Sequence, residues 1–495
     1  MIHSTELPSA PRELSMLING ERRIASDSEW IERTSPAHEI PVTRVPRGTS
    51  EDVAAAVGAA REAFDHGPWP HSTAAERSAK LLETAGRIRE AVDELALLET
   101  LESGKPITQA RFEVEWTAGI WEYAGALARH VYGDSSNNLG ADLLAMTLRD
   151  PIGVVGIITP WNFPMLIISQ SLPFALAAGC TTVVKPSELT SATTIRIAEI
   201  LKDIGLPDGV VNVVTGYGDP VGRAIAESDD VDMVSFTGSS SIGKSIVRAS
   251  AGNLKKVTLE LGGKNPLLIF NDADLESAVD ASRLGAYFNM GECCNSSSRI
   301  LVQDGVADDF VERFTAYSEK LVVGDPLDEE TKIGAIINQA QYDKILGYLA
   351  AGKDAGAQVR LGGGPLDLGK GRYIQTTVLD AVPPQATIAR EEIFGPVLSV
   401  IRFRDADEAV QIANGTPYGL SAGLFTNDYN TALTVSRRLR AGTVWVNSWL
   451  AGYNELSFGG YKESGLGRQL GRTAIEEFTE AKTVQLHLGK REPWW

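Results

Sequence analysis

Two adjacent cysteines in the segment FNMGECCNSSSR are the residues of this sequence best suited to covalent chemistry. Cys293 and Cys294 follow a helical pattern, and the Gly, Asn and Ser residues around them are typical of a turn beside a cavity. A thiolate in such a turn can attack a carbonyl carbon. The alternative is that both are small buried side chains, the usual role of a free cysteine.

The segment TPWNFP, from Thr159 to Pro164, supplies a candidate partner for that reaction. Its two prolines restrict the turn after an apolar run, so the Asn162 amide could donate a hydrogen bond to a developing oxyanion. Simple packing by Trp161 and Phe163, with Asn162 as a turn residue, is the alternative.

Three glycine-rich or charged segments are candidates for nucleotide binding. In KPSE, Lys185 and Glu188 could reach the hydroxyls of an adenosine ribose, where the Glu188 carboxylate would repel a 2′-phosphate and favour NAD over NADP. A solvated loop is the alternative. GYGDPVG, starting at Gly216, has its third glycine one residue late for a dinucleotide fingerprint, which favours a tight turn.

The third segment, GSSSIGKS, starts at Gly238 and matches the P-loop pattern letter for letter. A P-loop NTPase also needs an acidic residue at a strand end, and Glu260 at the end of KVTLEL could serve. Both interpretations place a phosphate at a helix N-terminus.

These residues must be positioned by alternating strands and helices. From Ile152 to Phe270 the apolar runs lack polar alternation, which is typical of parallel strands buried on both faces. A similar series extends from Asp274 to Asn447. The sequence therefore predicts an α/β fold, with a doubly wound, Rossmann-like domain followed by a second α/β domain.

The flanking regions predict helices and two separate strands. Helical spacing predicts one helix capped by Ser50 and a longer one from about Ala74 to Leu101 that ends at Gly104. LLAMTLRDP, near residue 145, and KTVQLHL, near residue 485, are predicted as strands outside both series that could pair with a neighbouring subunit.

Composition excludes several classes of protein. A formal net charge of -18 disfavours binding to nucleic acid or anionic lipid, and no apolar run approaches the ~20 residues of a membrane span. Three cysteines, two of them adjacent, allow no disulfide framework, and the N-terminus has no signal-peptide pattern. We therefore expect a cytoplasmic protein, and no metal site is predicted.

Seven motifs in one order, from Thr159 to Arg468, resemble the aldehyde dehydrogenase superfamily of the NAD-dependent, hydrolytic type. They are TPWNFP, KPSE, FTGSSSIG, LELGGK, GECC, EEIFGPV and FGGYKESGLGR. The resemblance implies that the loop matching the P-loop pattern faces the pyrophosphate of NAD. A P-loop NTPase and a non-catalytic member of the fold are the alternatives from other classes.

Carried over by position, the resemblance implies that Cys294 is the nucleophile and Glu260 the general base, while Asn162 and the backbone N–H of Cys294 form the oxyanion hole. It implies that the product is a free carboxylic acid, because relatives that transfer the acyl group to coenzyme A usually lack this Glu. The residues implied to bind NAD are Thr159, Trp161, Lys185, Glu188, Gly216, Gly238, Ser239, Gly243, Glu392 and Phe394.

The resemblance also implies a domain plan. Residues 1–130 and 151–261 would form a split NAD-binding domain, and residues 262–470 a catalytic domain. Residues 131–150 and 471–495 would supply the strands of a β-flap that builds a homodimer or homotetramer.

The substrate aldehyde is left open. The predicted pocket residues are Phe163, Gln170, Phe288, Glu292, Cys293, Trp449 and Phe458. Many relatives have an aromatic residue in place of Gln170 and a Gln in place of Glu292, so we expect a more polar tunnel and a carboxylate that raises the Cys294 pKa. A general aliphatic or aryl aldehyde is favoured. A betaine aldehyde or aminoaldehyde is the alternative, because the loop before FGGYK could give the pocket an aromatic and acidic lining from Trp449, Tyr453, Glu455 and Phe458.

Overall fold

Two large, mostly parallel sheets organise the computed structural model, which describes residues 7–490, 493 and 495. The first sheet has eight strands, in the order Gly465–Leu466, Lys256–Glu260, Met233–Thr237, Val154–Ile158, Thr181–Lys185, Val211–Val213, Met16–Ile18 and Glu21–Arg23. The five strands from Lys256–Glu260 to Val211–Val213 in this order are parallel to one another. The strand before them and the two strands after them pair antiparallel.

The first sheet is buried on both faces. Val155 and Ile157 belong to one apolar cluster, whereas Val154 and Ile158 belong to another on the opposite face. This two-sided burial explains why the strands are continuous apolar runs. The associated helices are Ser50–Asp65, Ala74–Glu90, Val92–Ser103, Ile107–Leu127, Pro164–Ser169, Leu172–Ala178, Ala192–Asp203, Arg223–Glu227 and Ser240–Ser250.

Two predicted helix boundaries are wrong. Thr49, not Ser50, caps the first helix, because its side chain accepts a hydrogen bond from the Asp52 N–H while the Asp52 carboxylate accepts one from the Thr49 N–H. The helix predicted from residue 74 to 101 is broken at Ala91, whose φ of -102° and ψ of 14° leave the helical region. Apolar spacing continues on both sides of Ala91, so it gives no sign of the break. The C-terminal stop at Gly104, with a φ of 84°, is as predicted.

The second sheet has seven strands, in the order Gln358–Leu361, Thr377–Asp380, Val397–Phe403, Arg299–Gln303, Pro266–Ile269, Ser421–Phe425 and Thr443–Val446. All its pairings are parallel except that of Gln358–Leu361. The helices of the C-terminal half are Leu275–Tyr287, Ala307–Ser318, Gln339–Asp354, Thr387–Arg390, Ala406–Asn414, Tyr429–Arg438 and Thr473–Glu477. The predicted α/β fold is confirmed, and its strands form two large, mostly parallel sheets.

The two strands predicted outside both series pair with each other. Leu143–Pro151 lies between Thr479–His487 and Asp134–Ser136 in a separate antiparallel sheet, with Thr479 opposite Pro151. Two further sheets are small. One has three strands, in the order Arg12–Glu13, Pro41–Pro46 and Trp30–Thr34, and the other pairs Pro365–Leu366 with Tyr373–Ile374. Within the described ranges, no helix has the length and apolar character needed to cross a membrane.

Candidate active site

A cavity of about 650 Å³ lies beside Cys294 and receives residues from both large sheets. Thr237 and Glu260 come from strand ends of the first sheet, and Thr443–Val446 is a strand of the second. The predicted pocket residues that line it are Phe163, Gln170, Phe288, Cys293 and Phe458. The cavity has the size of a site for a small organic molecule.

Cys294 follows a sharply bent turn. The φ angles of Asn289, Met290 and Gly291 are 51°, 57° and 70°, so three successive residues have left-handed backbone. The Asn289 amide braces the turn by donating to the carbonyl oxygens of Asn162 and Glu292, each at 3.0 Å. The turn therefore delivers Cys294 to the cavity wall.

The surroundings of Cys294 disfavour ionisation of its thiol. The adjacent Cys293 side chain, burial, and the carboxylates of Glu392 and Glu260 raise the pKa of Cys294 well above its ordinary value. Only the thiolate is a strong nucleophile, so the proton must leave before Cys294 attacks a carbonyl carbon.

Glu260 is a buried carboxylate that has no hydrogen-bond partner among the described residues. It is 5% exposed, ends the strand Lys256–Glu260 and lines the cavity. Burial raises its pKa well above the ordinary value, and Arg468 opposes this effect. Such a group is costly to retain, and a raised carboxyl pKa is typical of a residue that transfers protons near neutral pH.

The amide of Asn162 is fixed next to the segment that carries Cys294. Its Nδ2 donates to the carbonyl oxygen of Glu292 at 3.1 Å, the same oxygen that accepts from Asn289. A primary amide has two N–H donors, so one remains for a ligand oxygen. Asn162 is 4% exposed, and burial of this kind strengthens a hydrogen bond to an oxyanion.

Two residues predicted to line the pocket lie outside its wall. Glu292 is 1% exposed, and its Oε1 accepts a hydrogen bond from the Ile337 N–H at 3.3 Å, so its carboxyl faces the protein interior. Glu292 is also not among the groups that mainly raise the Cys294 pKa, contrary to our expectation.

The second such residue is Trp449, which packs in the core of the second sheet while Trp445 lines the cavity. The Trp449 indole donates to the Asn295 carbonyl at 3.2 Å. It also occupies space left by two glycines, because a Cβ on Gly285 or Gly423 would lie 2.5 or 2.8 Å from its ring.

Several lining residues were not predicted. Trp116 comes from the helix Ile107–Leu127, and Leu456 comes from the loop before Phe458. Trp116 lies in a helix far from every motif in the sequence. The only local signal for the loop is its density of aromatic residues.

A buried charge cluster lies behind the cavity wall. Lys105 is 1% exposed, and its Nζ donates to Glu99 at 2.9 Å and to Glu113. The same Nζ lies 4.5 Å from the centre of the Phe163 ring, and Glu113 accepts from the Leu166 N–H at 3.2 Å. The paired charges of Lys105 and Glu113 therefore contact Phe163 and Leu166 from behind the wall and do not enter the cavity.

The residues predicted to bind a cofactor lie at one edge of the first sheet. Those that follow or end its parallel strands are Thr159 and Trp161, Lys185 and Glu188, Gly216, and Gly238 with Ser239. Carboxyl ends of parallel strands meet at one edge, where nucleotides bind in folds of this type. The structure thus brings these residues to a common crevice.

The side chains in this crevice have the chemistry of a dinucleotide site. Lys185 Nζ is 3.7 Å from Glu188 Oε2, and burial lowers the pKa of Lys185. The Thr159 hydroxyl is buried without a partner among the described residues. Ser239 caps the helix Ser240–Ser250, and a Cβ on Gly243 would lie 2.7 Å from Leu261, so this helix packs closely on the sheet. These features fit a ribose and a pyrophosphate.

Glu392 and Phe394 come from the C-terminal half of the chain and lie beside Gly263 and Trp161, respectively. The Phe394 ring meets Trp161 edge-on, with centroids 5.3 Å apart. Glu392 Oε1 accepts from the Gly263 N–H at 2.9 Å, and a Cβ on Gly262 would lie 2.5 Å from Glu392 Oε2. A glycine is therefore needed beside the Glu392 carboxylate.

The P-loop interpretation is not supported by the position of its lysine. Lys244 Nζ donates to Glu463 Oε2 at 2.8 Å on the surface. Glu260, the candidate acidic residue for Mg²⁺, lines the cavity beside Cys294. Among the described residues, no group of three His, Cys, Asp or Glu side chains is placed to hold a metal ion.

Comparison with known proteins gives one consistent family. The model of the aldehyde dehydrogenase family matches residues 24–484. Aldehyde dehydrogenase family 2 member C4 from Arabidopsis thaliana is 42% identical, over 97% of this chain and 96% of that protein. The crystal structure of an NAD-dependent aldehyde dehydrogenase from Sinorhizobium meliloti has a TM-score of 0.97 and 49% identity, covering 98% of this chain and 97% of that one.

A third similar structure was solved with a cofactor. Betaine aldehyde dehydrogenase from Staphylococcus aureus, in complex with NAD+, has a TM-score of 0.95 and 36% identity. The match covers 97% of this chain and 96% of that one.

Proposed function

The chain belongs to the aldehyde dehydrogenase family, and on that basis we propose that it oxidises an aldehyde to the carboxylic acid with NAD+ as the hydride acceptor. The observation that carries this proposal is the shared cavity of Cys294, a candidate nucleophile, and Glu260, a buried carboxylate with no hydrogen-bond partner among the described residues. The two groups supply covalent capture and proton transfer for one reaction.

In the first half of the proposed reaction, the Cys294 thiol releases its proton to water, and the resulting thiolate attacks the carbonyl carbon. The carbonyl oxygen becomes the oxyanion of a thiohemiacetal, and the Asn162 amide and the backbone N–H of Cys294 donate to it. One donor of this kind is worth about 3 kcal/mol in the transition state. Loss of hydride from the former carbonyl carbon then restores the C=O bond and leaves a thioester on Cys294.

In the second half, Glu260 removes a proton from water, which attacks the thioester. The C–S bond breaks, the acid leaves, and Cys294 is regenerated. A carboxyl group whose pKa is raised by burial is a stronger base than an exposed one, which suits this role.

NAD+ supplies the hydride acceptor when bound. We propose that Lys185 and Glu188 hold the adenosine ribose, that the helix N-terminus at Ser239 holds the pyrophosphate, and that Glu392 holds the nicotinamide ribose. The related structure with bound NAD+ supports NAD+ as the cofactor, and the position of Lys185 at a strand end and of Ser239 at a helix N-terminus supports the assignment of the adenosine ribose and the pyrophosphate. The Glu188 carboxylate would disfavour NADP by repelling its 2′-phosphate.

We propose a neutral aliphatic or aryl aldehyde as substrate. Among the described lining residues, Glu260 is the one ionisable carboxylate, and it is assigned to the chemistry. A betaine aldehyde or aminoaldehyde is the second candidate, because aromatic rings bind cations and a similar structure is a betaine aldehyde dehydrogenase.

We further propose a cytoplasmic homodimer or homotetramer that assembles through the sheet containing Leu143–Pro151 and Thr479–His487. Leu148 and Leu486 in these strands are 41% and 42% exposed, which supports a covering partner. The three free cysteines support a reducing compartment.

The first experiment measures NADH absorbance with NAD+ and a panel of aliphatic, aryl, hydroxy and trimethylammonium aldehydes. Wild-type protein should turn over neutral aldehydes, whereas Cys294→Ser should not. Cys180→Ser is the matched control, because Cys180 is fully buried away from the cavity, where its thiol contacts the Phe478 carbonyl. Equal turnover by wild type and Cys294→Ser would overturn the proposal.

A further inference from the structure

One helical face forms a wall of the cavity and ends in a polar side chain. Phe163, Leu166, Ile167 and Gln170 all line the cavity, with the spacing of residues on one side of a helix. The first three are apolar, and the fourth carries a primary amide. Leu166 and Ile167 belong to the helix Pro164–Ser169, and Phe163 and Gln170 are its N-cap and C-cap residues, so Asn162 lies two residues before the helix.

The Gln170 amide lacks a protein partner. Its backbone N–H donates to the Leu166 carbonyl at 3.1 Å, but its side chain makes no hydrogen bond within the part of the chain that the structure describes. The residue is only 8% exposed. Two N–H donors and a carbonyl acceptor therefore face the cavity, and leaving them unpaired against an apolar ligand is costly.

The surroundings of this amide are aromatic. The cavity is lined by the rings of Trp116, Phe163, Phe288, Trp445, Tyr453 and Phe458. Phe163 and Phe288 are stacked, with centroids 5.8 Å apart and planes at 21°. Flat rings favour a ligand that is itself flat and aromatic.

The amide also lies at a defined depth. Helical rise from Pro164 to Gln170 amounts to about 9 Å, and Asn162 precedes the start of this helix. An aldehyde group bound near Asn162 and Cys294 would therefore place the far end of its ring near the Gln170 amide.

We propose that Gln170 determines specificity by selecting aryl aldehydes that carry a hydrogen-bonding substituent, a hydroxyl or an ether oxygen, remote from the aldehyde group. This inference rests on the proposed function of the same cavity. It makes Gln170 a binding residue for the substituent and gives it no part in the chemical steps.

The test compares kcat/KM for 4-hydroxybenzaldehyde and benzaldehyde in wild type and Gln170→Met. Methionine keeps the length of the side chain and removes its donors and acceptor. The ratio of the two values should fall about 5- to 10-fold in the variant, as expected for one lost hydrogen bond. Comparing the ratio between proteins cancels the different intrinsic reactivity of the two aldehydes.

Gln358→Met is the matched control, because Gln358 is an exposed glutamine in the strand Gln358–Leu361 and should leave the ratio unchanged. Retained benzaldehyde turnover shows that Gln170→Met is folded, and Gln170→Leu replaces it if it is not. An unchanged ratio in the folded variant would overturn the inference while leaving aldehyde oxidation intact. No NADH formation by wild type with either aryl aldehyde, when an aliphatic aldehyde is oxidised, would overturn the inference alone. No NADH formation with any aldehyde of the panel would refute the proposed function and the inference with it.

Discussion

Replacing Glu260 with Gln removes a proton acceptor from the cavity while keeping the shape of the side chain. Neither carboxylate oxygen has a hydrogen-bond partner within the described residues, so the change breaks no protein contact. A general base contributes about 10²- to 10⁴-fold to a rate. We therefore expect steady turnover to fall about 10³-fold, or about 4 kcal/mol in the activation barrier.

The stability of Glu260→Gln separates this role from a structural one. Burial raises the pKa of Glu260, so the folded state holds this proton at pH values where the unfolded state has released it. Ionisation of Glu260 therefore destabilises the fold as pH rises above the ordinary carboxyl pKa. Gln cannot ionise, so the unfolding free energy of the variant at pH 8 should equal or exceed that of wild type.

Rapid mixing with NAD+ and aldehyde gives the decisive assay. Glu260→Gln should release a burst of NADH close to one per active site, followed by a slow steady rate, because water attack is impaired and hydride transfer is not. Wild-type turnover should rise with pH as Glu260 loses its proton. If Glu260→Gln keeps the steady rate of wild type, Glu260 is not the general base. If the variant loses the burst, Glu260 acts before or during hydride transfer.

Three further substitutions test separate parts of the site. Asn162→Ala should lower kcat about 10²- to 10³-fold. Its thermal midpoint should change little, because Asn289 still donates to the Glu292 carbonyl; an equal loss of stability and activity would contradict the oxyanion role. Glu188→Gln should raise kcat/KM for NADP relative to NAD about 10-fold, since like-charge repulsion is removed; an unchanged ratio would contradict ribose recognition. Lys105→Met leaves buried carboxylates unpaired and should cost about 3 to 5 kcal/mol in urea denaturation, so an unchanged midpoint would show that the cluster is not stabilising.

The strands of the parallel sheets could be predicted from the sequence, because parallel strands that are buried on both faces are near-continuous apolar runs. The runs from Val154 to Ile269 are therefore visible without any structure. The break at Ala91 was not predictable, because both helices present apolar residues at the same period and no Gly or Pro separates them. Local propensity cannot distinguish one long helix from two when tertiary packing sets the bend.

The site residues were predicted from sequence motifs more than from the spacing of apolar residues. Glu260 ends a strand and lines the cavity, as a motif can indicate. Whether Trp445 or Trp449 faces the cavity is decided by the space that other segments leave. Trp449 turns inward because Gly285 and Gly423 leave room for its ring. Similarly, the direction of the Glu292 carboxyl is set by the Ile337 N–H, a group that no local pattern connects to it.

The sheet that pairs Thr479 with Pro151 constrains when the molecule can be completed during synthesis. At about 5 to 20 residues per second, the ribosome needs roughly 15 to 65 s to make the chain between these two partners. Until then Leu143–Pro151 has one open edge, and such edges attract other strands. An assembly that uses the completed sheet must therefore wait until Thr479–His487 has been synthesised, and Leu143–Pro151 must avoid pairing with other strands during that interval.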